Sequence, residues 1–362
     1  MKVSFMSGAY KNAGDFLIEK RSIELLKYVY PDIEIKKYLR NQMEDKIDEI
    51  NNADAIIFGG GPLYKNNLEG YLPLEKCLNK ITTPMMILGC GWYGTMDGSD
   101  LIYRYKFAPK TLEFFRKTDK EGFGLSCRDI YTVKTIKKEG LKNVFMTGCP
   151  AWYDINIINQ LKLNNKNKYN KIIISDPARP INFINAIKLV KYIQNKYKPT
   201  NLLFIFHRGQ GDSENEKSRQ NFYENLLNLG IETKDISMSP KGFAIYDDCD
   251  LHIGFRVHAH IYCLSQGIKT ILLEEDGRGA GVNQSLGLPQ IKTYNDSFQY
   301  DNRWAKRLFK LFANPTNNHL IEDIENHISI MEQTNWQYLS NALYLQKCYF
   351  QNMINFIKRL SS

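Results

Sequence analysis

Short apolar runs alternate with amphipathic stretches along this chain, and the alternation is played through twice. The runs lie near Val3–Ser7, Ile33–Lys36, Ala55–Phe58, Met85–Leu88, Gly124–Ser126 and Val144–Thr147. They resume at Lys171–Ser175, Leu202–Phe206, Ile231–Lys234, Leu251–Ile253 and Thr270–Leu273. Helical spacing fills the gaps, as at Phe16–Val29 and Leu112–Lys117. A strand–helix–strand rhythm of this kind predicts a parallel sheet covered by helices on both faces. Between the two series lies Leu163–Asn170, a polar stretch rich in Asn and Lys that reads as a linker. At 362 residues the chain also exceeds what one hydrophobic core usually serves. The expectation is α/β, with doubly wound domains at 1–162 and 171–315 facing across a cleft. Beyond Asp296 only helical patterns remain, at Trp304–Phe312 and Leu320–Leu360, so 316–362 reads as a helical tail.

Bulk properties narrow the function classes. Hydrophobic residues at 43% and charged residues at 24% describe an ordinary globular protein. No run of about 18 apolar residues is present to span a bilayer, and the N-terminus opens directly on a strand pattern, so a cytoplasmic location is expected. The seven cysteines form no Cys-x-x-Cys pair, and their odd number argues against a closed disulfide framework. Cys90, Cys127 and Cys149 fall near strand ends and read as packed side chains. A formal net charge of +9 favours anionic partners: small molecules, nucleic acid or an anionic membrane. No zinc knuckle, RNA-binding aromatic motif or concentrated basic helix appears, so nucleic acid is set aside. No metal site is expected either.

In open α/β sheets ligands gather at the carboxyl ends of strands, and those ends carry the chemistry here. Gly14 and Asp15 follow the first strand, where Asp15 reads as a helix N-cap or a ligand contact. Gly59-Gly60-Gly61 follows Phe58; Gly60 and Gly61 allow a ligand to approach the backbone or simply make a tight turn. Trp92 and Tyr93 follow a third strand, and Trp152 and Tyr153 follow another. Any of the four would suit a sugar face, or equally the core. Arg128 beside Asp129 reads first as a structural clamp and second as an anion contact. In the second half, Arg179, Arg208, Arg256 and Arg278 each follow a predicted strand. Four such arginines on one edge predict a site for a multiply charged anion. Arg256 and His258 stand where strand Leu251–Ile253 turns into a helix, a junction whose free N–H groups and dipole suit an anion. A guanidinium that can hold an anion at two points beside an imidazole that can move a proton is a reacting pair. His252 and His260 are expected to point away into packing.

The ordered set Gly14-Asp15, Asp54–Gly61, Ser126–Asp129, Thr147–Pro150 and Asp250–His258, continuing to Gly267 and Asp276, resembles the polysaccharide pyruvyl transferase family over roughly residues 10 to 290. The resemblance implies two Rossmann-like domains in a GT-B-like arrangement. It also implies transfer of a pyruvyl unit from phosphoenolpyruvate to two hydroxyls of a sugar, forming a ketal. Phosphoenolpyruvate is then a donor substrate, with no cofactor. By motif match Arg256 and His258 correspond to the family's donor-binding and catalytic pair, and Arg179 is a looser match to a further donor arginine. Arg208, Arg278, Arg128, Asp15, Gly60 and Gly61 complete the expected substrate-binding set. Residues 1–162 would take the acceptor and 171–315 the donor. The loops at Asp176–Arg179 and Lys11–Asp15 depart from the family pattern.

The acceptor expected is a free, nucleotide-linked or lipid-linked saccharide of an envelope or exopolysaccharide precursor. A lipid-linked acceptor would bring the basic chain to the inner face of the membrane in a peripheral contact. Two alternatives stay open. One is a nucleotide-sugar glycosyltransferase of the same shape, with Glu274 or Glu275 on a ribose and Arg256 on a diphosphate. The other is an inactive envelope-assembly scaffold.

Overall fold

The computed structural model describes residues 1–94, 104–164, 168–198, 200–209, 216–295 and 316–361. Trp304–Phe312 lies outside the described residues. The first half holds strands β1 (Lys2–Ser7), β2 (Glu34–Leu39), β3 (Ala55–Gly59), β4 (Met85–Cys90), β5 (Gly124–Cys127) and β6 (Val144–Met146). The second holds β7 (Lys171–Ser175), β8 (Asn201–Phe206), β9 (Glu232–Asp235), β10 (Leu251–Gly254), β11 (Lys269–Glu274) and β12 (Ile291–Lys292). Each set forms one six-stranded sheet, in the orders β2-β1-β3-β4-β5-β6 and β12-β11-β10-β7-β8-β9. Every pairing is parallel.

The strand sequences explain their places. β3, β4 and β11 are buried throughout, because helices cover both faces of a parallel sheet and leave no solvent side to alternate with. β2 and β9 sit at sheet edges, and their sequences EIKKYL and ETKD keep charges on largely exposed positions. Charge on an edge strand discourages pairing with another chain.

Both orders contain a topological switch point. In the first sheet it lies between β1 and β3, in the second between β7 and β10. Helices leave opposite faces there, so a crevice opens at the strand ends. The two crevices face each other, and their loops are bonded together. The Ala13 amide donates to the His207 carbonyl at 3.0 Å, and the Met238 amide donates to the Lys11 carbonyl at 2.9 Å. Deeper in, Arg21 is buried between the halves. It donates to Asp154 at 3.1 Å and lies over the Tyr262 ring. One apolar core includes Val3, Phe5 and Leu88 of the first half together with Ile172–Ile174 and Leu251 of the second.

The C-terminal helices divide between the halves. Leu320–Gln333 packs on Phe183–Lys196 and β12, whereas Gln337–Ile357 returns to β6 and to the first helix, Ala13–Val29. Phe356 meets Phe145 with ring centroids 5.3 Å apart, and Asn352 donates to the Met146 carbonyl at 3.2 Å. Among the described residues, no helix is long and apolar enough to cross a membrane.

Candidate active site

Between the two sheets lies a cavity of about 330 Å³, lined by loops from both switch points. Asp15, Gly60, Gly61, Arg128, Arg179, Arg208, Arg256, His258 and Arg278 all line it, so one space gathers the reacting pair and the whole expected substrate-binding set. Its wall carries seven cationic side chains and four carboxylates. The surplus of positive charge suits an anion.

His258 occupies the first turn of helix Val257–Ser265, and its position depends on the other sheet. Gly14 packs flat against the imidazole, and a methyl group there would overlap it. The Nε2 atom is buried and has no hydrogen-bond partner. Burial, then the guanidinium groups of Arg128, Arg278 and Arg256, push the imidazole well below its ordinary pKa. It is therefore neutral at pH 7. An anion placed among the same arginines would offset their share of that shift and raise its affinity for a proton.

Arg256 holds a partner that its local sequence does not disclose. Its Nε and Nη2 donate to Asp176 at 2.7 and 2.5 Å. Asp176 also receives Arg219 at 3.1 Å and the His207 amide at 3.1 Å. Burial alone would raise this carboxyl, but Arg256 holds it below the usual carboxylate range. One edge of the guanidinium is thereby fixed, and the rest meets the cavity. Arg278 is held likewise by Asp276, which also caps helix Gly277–Ser285. Arg179 stands 3.6 Å from the same carboxylate, on a loop whose Ala178 and Arg179 amides donate to Glu275.

Arg128 is both clamp and contact. Its Nε donates to Asp129 at 3.2 Å, and Asp129 caps the next helix by accepting from the Thr132 amide. The other end of the guanidinium, Nη2, is buried without a partner. Gly91 packs against that group, where a methyl would collide with it. A buried donor left unsatisfied is costly, and this one belongs to a side chain of the cavity wall.

Several expectations change. Asp15 is not the N-cap: the helix begins at Ala13 and the cap position is Asn12. Asp15 thus sits inside the first turn, where burial raises its pKa against the pull of Asn12 and three arginines. Trp92, Trp152 and Tyr153 are fully buried, so of the four proposed aromatics only Tyr93, 44% exposed, can meet a sugar. Glu274 is buried against Asn283, and Glu275 accepts from Ala178, Arg179 and Asn182. Glu274 does not line the cavity, and Glu275 lines it with both oxygens already accepting hydrogen bonds. His252 and His260 share the Thr270 hydroxyl in the core, as expected of packed residues.

Sequence reasoning missed Arg40. It directly follows β2, lies buried at the cavity wall, and donates to the carbonyls of Gly59 and Gly60 at 3.1 and 2.9 Å. The signal was present, since Arg40 follows a strand as the other arginines do. Ending that strand at Lys36 hid it.

Two Rossmann-like units closed on a cation-lined cleft define a GT-B-like protein, and solved structures share that fold. UDP-GlcNAc 2-epimerase from Neisseria meningitidis, bound to UDP-GlcNAc, aligns with TM-score 0.53 at 12% identity over 98% of this chain and 100% of its own. MnaA from S. aureus, in complex with UDP, gives 0.51 at 12% identity over 92% and 97%. A glycosyltransferase from Rickettsia africae gives 0.51 at 9% identity over 100% and 98%. At such identities the likeness concerns the fold alone. No curated protein matches the chain in sequence. Residues 12–277, well over half of the chain, match the polysaccharide pyruvyl transferase family, and the protein belongs to it.

Proposed function

We propose that the protein transfers a pyruvyl group from phosphoenolpyruvate to two hydroxyls of a saccharide, releasing inorganic phosphate and leaving a cyclic ketal. The observation that carries this reading is the partnerless Nε2 of His258, in a cavity wall shared with the unsatisfied Nη2 of Arg128. A small ligand with a phosphate at one end and a carboxylate at the other suits such a wall, because planar guanidinium groups bind both groups in forks. Residues 171–315 supply most of these arginines and would hold the donor; residues 1–162 would receive the acceptor.

Donor binding offsets the field of Arg128, Arg256 and Arg278, and His258 takes up a proton. His258 delivers that proton to the methylene carbon of phosphoenolpyruvate, leaving an oxocarbenium centre at C2. One sugar hydroxyl attacks C2 and gives up its proton to the neutral imidazole. Phosphate then departs with the C2–O bond electrons, regenerating the cationic centre. The second hydroxyl closes the ring and gives its proton to the departing phosphate. General acid–base help of this kind contributes about 10²–10⁴-fold. Asp15, whose pKa burial raises, is placed to assist at the acceptor side.

The test is release of inorganic phosphate from phosphoenolpyruvate with a panel of saccharide acceptors, with the product's new methyl signal followed by NMR. Phosphate and ketal should appear together. Turnover of a nucleotide sugar with no consumption of phosphoenolpyruvate would defeat the reading.

A further inference from the structure

The first helix, Ala13–Val29, touches helix Val257–Ser265 near both of the latter's ends. At one end Gly14 lies against the His258 imidazole. At the other, Arg21 Nη1 donates to the Ser265 hydroxyl at 3.4 Å, and the guanidinium lies 5.6 Å from the Tyr262 ring centroid. The two contacts are seven residues apart on each helix, which is about two turns, so each helix uses a single face. Arg21 Nη2 donates to Asp154 at 3.1 Å, and the same carboxylate oxygen accepts Gln266 Nε2 at 3.0 Å. Gln266 is the residue that ends the helix bearing His258. One forked guanidinium thus joins the turn after Pro150–Trp152 in the first half to the far end of that helix in the second.

We infer that Arg21 is a positioning residue: it fixes the register between the two helices and thereby the place of the His258 imidazole in the cavity. Stability alone does not account for it. Arg21 is buried, its Nε has no hydrogen-bond partner, and burial pulls its pKa down against the pull of Asp154. A buried ion pair adds little net stability over apolar side chains of similar volume, but it can specify one register among several. Gly14 offers the imidazole a flat face without a directional bond. The directional bonds lie at Arg21, about 10 Å further along the helix. A helix moves as a rod, so a slip of about 1 Å there carries His258 as far, enough to cost on the order of 10²-fold in rate.

Its role rests on that proposed for His258, and the first readout needs no turnover. In NMR spectra of protein with isotope-labelled histidine, the His258 ring signals are identified by their loss in His258→Ala. They should shift in Arg21→Met, which keeps apolar bulk but cannot fork, and less far in Ser265→Ala, which removes only the second-half partner. In Arg21→Met, kcat for phosphate release should fall about tenfold or more, while KM for phosphoenolpyruvate stays within about twofold. Thermal melting should stay near the wild-type value, because Asp154 keeps the N–H groups of Gln266 and Asn156. Both changes misplace one ring, so Gly14→Ala should cost less in the Arg21→Met background than alone. Unchanged His258 signals in folded Arg21→Met overturn the inference, as do shifted signals with an unchanged kcat. A lower melting temperature with kcat and KM both disturbed would mark a merely structural role. If Arg21→Met fails to fold, Ser265→Ala decides in the same way. Shifted signals in a protein that never consumes phosphoenolpyruvate would leave the pin in place and count against the donor reading.

Discussion

At the ends of β1, β3 and β4 the first sheet presents glycines and an exposed tyrosine; at the ends of β7, β10 and β11 the second presents arginines tied to carboxylates. Gly14 and Gly91 let the chain come close to His258 and Arg128, and the Gly60 carbonyl accepts from Arg40. Asp176 and Asp276 hold Arg256 and Arg278 rigidly. One edge is defined by what it leaves out and the other by what it pins down. The proposed reaction at their junction needs both, so adding atoms on one side should harm as deleting atoms does on the other.

The largest expected effect is on the second edge. His258→Ala should lower turnover by about 10²–10⁴-fold, with phosphoenolpyruvate still bound by calorimetry. Retained turnover would place the proton transfer elsewhere. Asp176→Asn comes next. It leaves the buried Arg256 and Arg219 short of their counter-charge, and breaking a buried pair from one side costs about 3–5 kcal/mol. A chemical denaturation series would read this as a lower midpoint. On the first edge, Gly14→Ala should displace the imidazole without removing any functional group. A misplacement of about 1 Å can cost on the order of 10²-fold, so kcat should fall while the unfolding midpoint moves little. An unchanged rate would mean that the close approach is incidental.

The smallest effect per group is acid sensitivity. His207 and His260 are buried and pushed down to about 3. Their folded pKa values lie below the ordinary 6.5, so the unfolded chain takes up protons first as pH falls. The stability they contribute is complete above pH 6.5 and is lost progressively from there toward pH 3. Each should cost about 2 kcal/mol between pH 7 and pH 5. Urea midpoints compared at those two values check the sign. Greater stability at pH 5 would contradict it.

The parallel sheets were legible because apolar runs must stay apolar when helices cover both faces. The cavity residues were legible because function in such folds gathers at strand ends. Distant partners were not. Nothing near Arg256 in the chain announces Asp176, eighty positions earlier. Arg40 escaped because β2 is an edge strand whose charged residues hide where it stops. Trp92, Trp152 and Tyr153 follow strands just as Tyr93 does, and only three-dimensional packing separates buried rings from the exposed one. β12, two residues long, is too short for any periodicity.

The helix Gln337–Ile357 has a consequence for how the molecule comes into being. The first sheet leaves the ribosome early, yet Trp152 and Phe145 wait for Gln346 and Phe356, which are translated only after the entire second sheet. Until then the earliest-made half carries an uncovered greasy back, a surface on which chaperones act. Closure of the first half therefore waits for a helix translated after the whole of the second sheet.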